Sequence, residues 1–363
     1  MSTPTQPTRE YLAAPVHKDG AVAWLRKNLF SSWFNSVLTV LTMLALLYTI
    51  PPLIKWAFID SVWNTSAEVC RDIDGACWSI IPRNIKFILL GFFPEGQEWR
   101  PILAMILLLG LVIYSKERHR WKKALLWYWL VGLIVMGTLM YGGVFGMPVV
   151  ETGQWSGLPL TMMLSFFGMV CAYPLGVVLA LGRRSKMPAI RTLCVVYIEM
   201  IRGVPLISLL FMSSIMFPLF LPDGMTIDKV LRAQVAIILF TAAYIAEVVR
   251  GGLQAMPKGQ YEAADSLGLN YRQTMRLIIL PQALKIVIPP TVGILLSAFK
   301  DTSLVVIIAL YDVLKTTKVT LQNPNWTGYS TEAYIFLAVL YFIFCYAMSS
   351  YSRRLERELH TGH

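Results

Sequence analysis

Eight long apolar runs constrain what this chain can fold into more than any other feature of its sequence. They lie at residues 34–54, 99–115, 124–140, 158–181, 193–220, 233–249, 286–310 and 333–351. A helix needs about 20 apolar residues to cross the hydrocarbon layer of a bilayer. The runs therefore predict an all-α, polytopic helical membrane protein with about eight transmembrane helices, of which the second is short and the seventh is interrupted by polar residues.

Composition supports a membrane protein and excludes several other classes. Apolar residues make up 56% of the chain and charged residues only 15%, whereas a soluble domain carries about 25% charged residues. A water-soluble globule and a disordered chain are therefore excluded. The net charge of +11 does not indicate nucleic-acid binding, because the basic residues follow the predicted topology in the membrane.

Basic residues concentrate on one side of the predicted membrane. Of the 32 Lys and Arg residues, 21 lie in five segments: 1–33, 116–123, 182–191, 250–285 and 353–363. Since Lys and Arg are enriched in cytoplasmic loops, these segments are expected in the cytoplasm, and with them both termini. The first apolar run is an anchor and not a removed signal peptide, because no small-residue cleavage site follows it.

A change in the character of the spans divides the chain. A polar tail (1–33), an extension with three spans (34–140) and a Gly-rich external linker (141–157) precede a five-span core (158–352) and a short tail (353–363). The spans that contain charged residues or several prolines lie in the core. A charged residue inside a membrane span is energetically unfavourable, so such residues usually belong to a functional site.

Two cysteines, Cys70 and Cys77, share the first external loop at 55–98. If that side is oxidising, a disulfide would tie the loop. Two free thiols are the alternative, and the sequence leaves both open.

The loop at 250–285 predicts two short helices joined at a tight corner. Pro257 suits a first helical turn, and Gly268 suits a left-handed C-terminal cap. Asn270 can begin the second helix as N-cap, with Gln273 completing a capping box. A helix pair of this kind on the cytoplasmic face has nothing of its own chain to pack against, so we expect it to bind a protein partner.

The spacing within this loop resembles the EAA loop of ABC importer permeases. Its fixed positions are met by Glu262, Ala263, Ala264, Gly268, Ile278, Leu280 and Pro281. Four further motifs, at 197–206, 246–252, 257–260 and 299–304, resemble those of the polar amino-acid uptake branch. Residues 158–352 are thus similar to the permease core of that branch, a type I importer fold with five helices. Residues 1–140 resemble the N-terminal extension of the M-type subunit of general L-amino-acid uptake systems.

The resemblance implies a transport subunit and not an enzyme. ATP and Mg would be bound by a separate ATP-binding cassette ATPase, and this chain would hold no cofactor; it contains no G-x-x-x-x-G-K-[ST] phosphate loop. The other expected partners are a second permease subunit in a heterodimer, a periplasmic amino-acid-binding protein and the lipids of the bacterial inner membrane. The expected ATPase-coupling residues are Gly259, Glu262, Ala263, Ala264, Gly268, Leu280 and Pro281.

Charged residues inside the core spans are the candidates for a substrate pathway. Glu199 and Arg202 lie one helical turn apart, either lining the path or forming an intrahelical ion pair. A second group contains Lys300, Asp301, Thr302 and Ser303. We expect a helix break there, as in transporter substrate sites; alternatively, the span ends near Phe299 and these residues meet water.

These groups suggest how an amino acid would be recognised. Lys300 is the preferred partner for the substrate carboxylate, and Asp301 or Glu199 would bind the ammonium group.

A secondary transporter is an alternative function, because the interrupted spans by themselves would be enough for such a protein. A membrane-embedded enzyme is disfavoured, because all four His residues lie outside the spans and no H-E-x-x-H motif is present.

Overall fold

The computed structural model describes residues 20–222 and 224–359. Most of the predicted N-terminal tail lies outside the described residues. The chain forms two compact units: residues 20–63 with 71–76, and residues 64–70 with 77–222 and 224–359. Helices make up most of both units.

The first unit contains the first predicted span. Its helices are α1 (Ala21–Asn28) and α2 (Trp33–Ile54), and α2 continues through a π-helical turn at Lys55–Ile59. The Ser32 hydroxyl begins α2 by accepting a hydrogen bond from the Asn35 N–H at 3.2 Å. No described residue of α2 is buried.

The second unit contains the remaining spans. Its N-terminal helices are α3 (Ala67–Arg71, whose last residue belongs to the first unit), α4 (Ile80–Leu90), α5 (Trp99–Ser115) and α6 (Lys123–Tyr141). The predicted core begins with α7 (Gly157–Arg183), α8 (Pro188–Gly203), α9 (Leu206–Phe211) and α10 (Lys229–Gln254). The chain ends with α11 (Lys258–Ser266), α12 (Tyr271–Gln273), α13 (Leu280–Ile286), α14 (Ile288–Asp301), α15 (Val313–Thr320) and α16 (Ser330–Leu359).

The predicted all-α membrane fold is confirmed. In the described chain, six helices are long and apolar enough to cross a bilayer, and α8 with the segment Leu206–Phe220 makes a bent pair that is either a seventh, broken span or a re-entrant loop. The short predicted span at 99–115 corresponds to α5, an apolar helix of 17 residues. All eight predicted runs are thus helical.

The sharp break lies in the fifth span and not in the seventh. α8 and Leu206–Phe220 meet at 105° around Val204 and Pro205. Proline disfavours a helical conformation at the residue before it, and Val204 is extended, with ψ of 133°. The expected break at Lys300 is wrong: α14 runs through Asp301 and tightens into a 3₁₀ helix at Thr302–Ile308.

Small residues allow α7 and α10 to pack closely. A Cβ atom on Gly176 would lie 2.7 Å from the Ile245 side chain and 2.9 Å from the Ala242 carbonyl oxygen. Ala172 and Ala180 on α7 are also fully buried. Close approach through small side chains is typical of helix pairs in membranes, and this pair forms the centre of the core.

The loop before α5 packs against the core. The Thr316 hydroxyl of α15 donates a hydrogen bond to the Ile88 carbonyl oxygen at 2.7 Å, which holds α4 in place. Cys70 and Cys77 form a disulfide with their Cα atoms 5.7 Å apart. The Cys77 N–H donates to the buried Glu332 carboxylate at 2.9 Å, so Cys77 is fixed to the first turn of α16.

A buried aspartate begins α15. The Asp312 carboxylate accepts hydrogen bonds from the Leu314 and Lys315 N–H groups at 3.2 and 3.0 Å. Burial raises the pKa of this carboxyl above its usual range, and the two backbone hydrogen bonds oppose that rise. Asp312 therefore has a structural role as an N-cap.

A fully buried arginine joins α5 to the end of α6. The Arg100 guanidinium donates to the carbonyl oxygens of Leu139 at 2.7 Å and Pro148 at 3.0 Å. A cation at a helix C-terminus compensates the helix dipole. Arg100 thereby fixes the turn that leads from the three-span extension into α7.

We expect Arg100→Met to lower the free energy of unfolding by about 2–3 kcal/mol, because buried carbonyl oxygens lose charged hydrogen-bond donors. Arg83→Met, at an exposed position of α4, is the matched control and should change it by less than about 0.5 kcal/mol. SDS titration of the purified chain measures both. Equal effects of the two variants would contradict the role of Arg100.

Candidate functional site

The elbow between α11 and α12 has the conformation expected from its sequence. Gly268 has φ of +69°, a region in which glycine carries no steric penalty. Its N–H donates to the Asp265 carbonyl oxygen at 2.9 Å, and the Leu269 N–H donates to that of Ala264 at 3.2 Å. This pair of hydrogen bonds is a Schellman motif, which ends α11 sharply.

The second arm of the elbow begins with a capping box. The Asn270 side chain accepts from the Gln273 N–H, and the Gln273 side chain accepts from the Asn270 N–H, both at 3.0 Å. The helix then continues through a π-helical turn at Thr274–Ile279 into α13. Pro281 follows this wider turn, which accommodates a residue without an N–H group. The predicted corner is confirmed.

The expectation that this helix pair has nothing of its own chain to pack against is wrong, because neighbouring helices contact the elbow and fix its position. Ala264 is fully buried, and Gln282 on α13 donates to the Gln260 side chain on α11 at 3.1 Å. Arg184, at the end of α7, donates to the Leu253 carbonyl oxygen at 2.9 Å and to the Tyr261 hydroxyl at 3.3 Å. Movement of α11 would therefore reach α7 and α10 directly.

The predicted coupling residues separate into an exposed group and an inner group. Ala264 is buried and Leu280 is half-buried, so both support the elbow from within. The others are exposed at its surface: Gly259, Glu262, Ala263, Gly268 and Pro281. An exposed helix on a rigid base can receive a force from a partner protein and transmit it.

Charged residues at the ends of α7, α8 and α10 form one ion-pair cluster. Glu247 on α10 binds Arg250 through both carboxylate oxygens, with the Arg250 Nε atom at 2.9 and 3.0 Å. Its carboxylate also lies 3.4 Å from Arg183 and 3.8 Å from Arg202. Glu199 pairs with Arg183 at 2.8 Å.

This arrangement differs from the ion pair considered for Glu199 and Arg202. In the described chain, Glu199 pairs across helices with Arg183, and Arg202 faces Glu247. The hub of the cluster, Glu247, is not among the site residues that the sequence predicts. A carboxylate in an apolar span, three residues before Arg250, is the sequence feature that indicates it.

A cavity with both apolar and polar lining residues lies between α10 and α14. It has a volume of about 480 Å³. The groups on its wall that can form hydrogen bonds belong to Thr241, Tyr244, Ser297 and Asp301. The Arg202 guanidinium lies 5.6 Å from the centre of the Tyr244 ring, so Tyr244 contacts both the cavity and the ion-pair cluster.

The four predicted residues around position 300 are not equivalent. Asp301 lines the cavity, whereas Lys300 is exposed and does not line it. Thr302 is fully buried and donates to the Phe299 carbonyl oxygen at 2.8 Å. Ser303 is half-buried outside the cavity wall. The structure thus brings one of the four to the cavity.

Comparison with known proteins shows to which protein family this chain belongs. The model of the family described as "binding-protein-dependent transport system inner membrane component" matches residues 172–361, more than half of the chain. The chain belongs to this family of ABC transporter permeases. The match includes the elbow, the ion-pair cluster and the cavity.

Two relatives extend the similarity over almost the whole permease. The inner membrane amino-acid ABC transporter permease protein YhdY of Escherichia coli (strain K12) is 50% identical, over 94% of each chain. The glutamate/glutamine/aspartate/asparagine transport system permease protein BztC of Rhodobacter capsulatus is 37% identical, over 96% of each. The N-terminal extension is therefore shared with these relatives.

A solved structure supports the fold of the core. A chain from the crystal structure of an amino acid ABC transporter with histidines is 30% identical, with a TM-score of 0.50. The alignment covers 56% of this permease and 92% of that chain. The permease is accordingly a multi-pass membrane protein of the type I importer fold, with an additional N-terminal region.

We expect Gly268→Val to reduce transport by about tenfold or more while the protein remains inserted in the membrane. A β-branched residue at positive φ stores about 1–3 kcal/mol of strain in the elbow. Gly251→Val is the control, because that glycine has an ordinary φ and no atom within 4 Å of its Cβ position. Uptake by vesicles, normalised to inserted protein, tests this; normal uptake by the Gly268 variant would refute it.

We expect Glu247→Gln to lower the free energy of unfolding by about 2 kcal/mol, since three guanidinium groups lose their shared carboxylate. Glu199→Gln should cost less than about 1 kcal/mol, because its side chain is 55% exposed against 23% for Glu247. SDS titration of both variants measures the difference. A larger effect at Glu199 would show that Glu247 is not the hub.

Proposed function

We propose that this permease imports L-amino acids across the bacterial inner membrane, driven by ATP hydrolysis on a separate subunit. The observation that carries the proposal is the rigid elbow with its exposed helix α11, in a chain that belongs to the binding-protein-dependent permease family. The names of YhdY and BztC favour amino acids as the substrate class. The name of BztC favours acidic amino acids and their amides as the substrates.

The partners follow from this proposal. Helix α11, with Glu262 at its surface, would enter a cleft of the ATP-binding cassette ATPase, which would bind ATP and Mg. A periplasmic amino-acid-binding protein would deliver substrate, and a second permease subunit would complete the path as a heterodimer. The basic segments favour both termini in the cytoplasm.

The cavity between α10 and α14 is the proposed substrate path within this subunit. Asp301 offers a carboxylate for the substrate ammonium group, and Thr241 and Ser297 offer hydroxyl groups. The ion-pair cluster near Tyr244 contains three arginines and two glutamates. Its net positive charge would attract the substrate carboxylate. Lys300 stays a candidate for the carboxylate, from a position outside this cavity.

Reconstitution with the ATPase tests the main proposal against a secondary transporter. Proteoliposomes with the permease subunits, the ATPase and the binding protein should accumulate labelled glutamate or glutamine only with internal ATP. Dissipation of the proton gradient should leave uptake unchanged. Uptake that persists without ATP and stops with the proton gradient would establish the secondary transporter instead.

We expect Asp301→Asn to reduce uptake by about tenfold or more while basal ATPase activity stays unchanged, because an ammonium group loses a charged partner in a low-dielectric cavity. Lys300→Met should reduce uptake to a smaller extent. Lys285→Met, at an exposed position on α13, is the control. Measuring uptake and ATPase activity separately distinguishes the outcomes; wild-type uptake by the Asp301 variant would remove that residue from the path.

A further inference from the structure

An apolar groove runs between α5 and α6, outside the transport core. Its volume is about 840 Å³. Tyr114, Trp127 and Tyr128 line one end, and the remaining lining residues are aliphatic or glycine. From Leu103 to Tyr114 the groove follows α5 for about 16 Å, at 1.5 Å per residue. Its shape and apolar wall fit an extended hydrocarbon chain.

A cation lies at the aromatic end of the groove. The Arg120 guanidinium is 4.6 Å from the centre of the Tyr114 ring, and this ring meets Tyr128 edge-on at 5.6 Å. In the described part of the chain, no carboxylate lies within ion-pair distance of Arg120. Its charge is therefore available to an anion at the mouth of the groove.

The surroundings of Arg120 are strongly basic. The loop between α5 and α6 has one acidic residue, Glu117, whose carboxylate is 3.8 Å from Arg354 on α16. This contact brings the basic C-terminal end of α16, which also contains acidic Glu356 and Glu358, to the loop. The basic residues of the loop and adjoining helix ends are Lys116, Arg118, Arg120, Lys122 and Lys123.

We propose that this groove binds an anionic phospholipid, with its phosphate at Arg120 and one acyl chain along α5 and α6. Basic clusters beside transmembrane helices attract anionic lipid headgroups, and Tyr and Trp favour the headgroup level of the bilayer. An apolar groove that ends at such a cluster matches both parts of one phospholipid. The three-span extension then supplies a lipid site beside the core.

Lipid retention by the purified full-length permease tests the proposal. Delipidated protein in detergent is titrated with phosphatidylglycerol or with phosphatidylcholine of the same acyl chains, and bound lipid is counted by native mass spectrometry. We expect preferential retention of phosphatidylglycerol. Arg120→Gln should weaken its binding about fivefold, since one basic residue near an anionic lipid contributes about 1 kcal/mol, and should leave phosphatidylcholine unchanged.

A second variant tests the groove itself. Gly110 lies on its wall, and no atom lies within 4 Å of the Cβ position there. Gly110→Leu therefore places a larger side chain in the groove and should weaken binding of both lipids. Gly137→Leu is the control, because its Cβ position is equally open and lies off the groove wall. Equal retention of the two lipids, or no effect of Arg120→Gln and Gly110→Leu, would overturn the proposal.

A photo-crosslinking residue in place of Val131, on the groove wall, identifies the occupant in native membranes. Crosslinks to phospholipid support the lipid site. Crosslinks to a protein, such as a second permease subunit, would overturn it.

Discussion

The close packing of α7 against α10 is the interaction on which the rest of the core depends. Lipid is as apolar as the helix surfaces, so helices in a membrane associate mainly through close van der Waals contact. Gly176 provides that contact, because any side chain there would collide with Ile245. The elbow, the ion-pair cluster and the cavity all attach to this pair, so a shift between the two helices would affect each of them.

The charged side chains in the interior of the protein lie where backbone carbonyl groups or oppositely charged residues of other helices can bind them. Glu247 is shared among three guanidinium groups from α7, α8 and α10, which joins the ends of these helices without leaving the carboxylate unpaired. Arg100 is compensated differently, by carbonyl oxygens at the end of α6. Both solutions satisfy the same constraint, since an uncompensated charge in an apolar environment is strongly unfavourable.

The part of the extension that belongs to the second unit is tied to the core by hydrogen bonds. Helix α4 is held by α15 through the Thr316 hydroxyl, and Cys77 is held by Glu332 on α16. α5 and α6 pack against one another and add the groove that we assign to lipid. The length of the match to YhdY and BztC shows that this region accompanies the core in related permeases.

Local and periodic features determined what the sequence alone could predict. The apolar runs specify the eight helical segments, and Gly268 with the Asn270–Gln273 pair specifies the elbow, because each depends only on residues close in the chain. Tertiary structure decided which charges meet. Glu199 lies one turn from Arg202 but pairs with Arg183, and Asp301 reaches the cavity while Lys300 does not. The packing of distant helices sets these contacts, and the spacing of residues along the chain does not encode how distant helices pack.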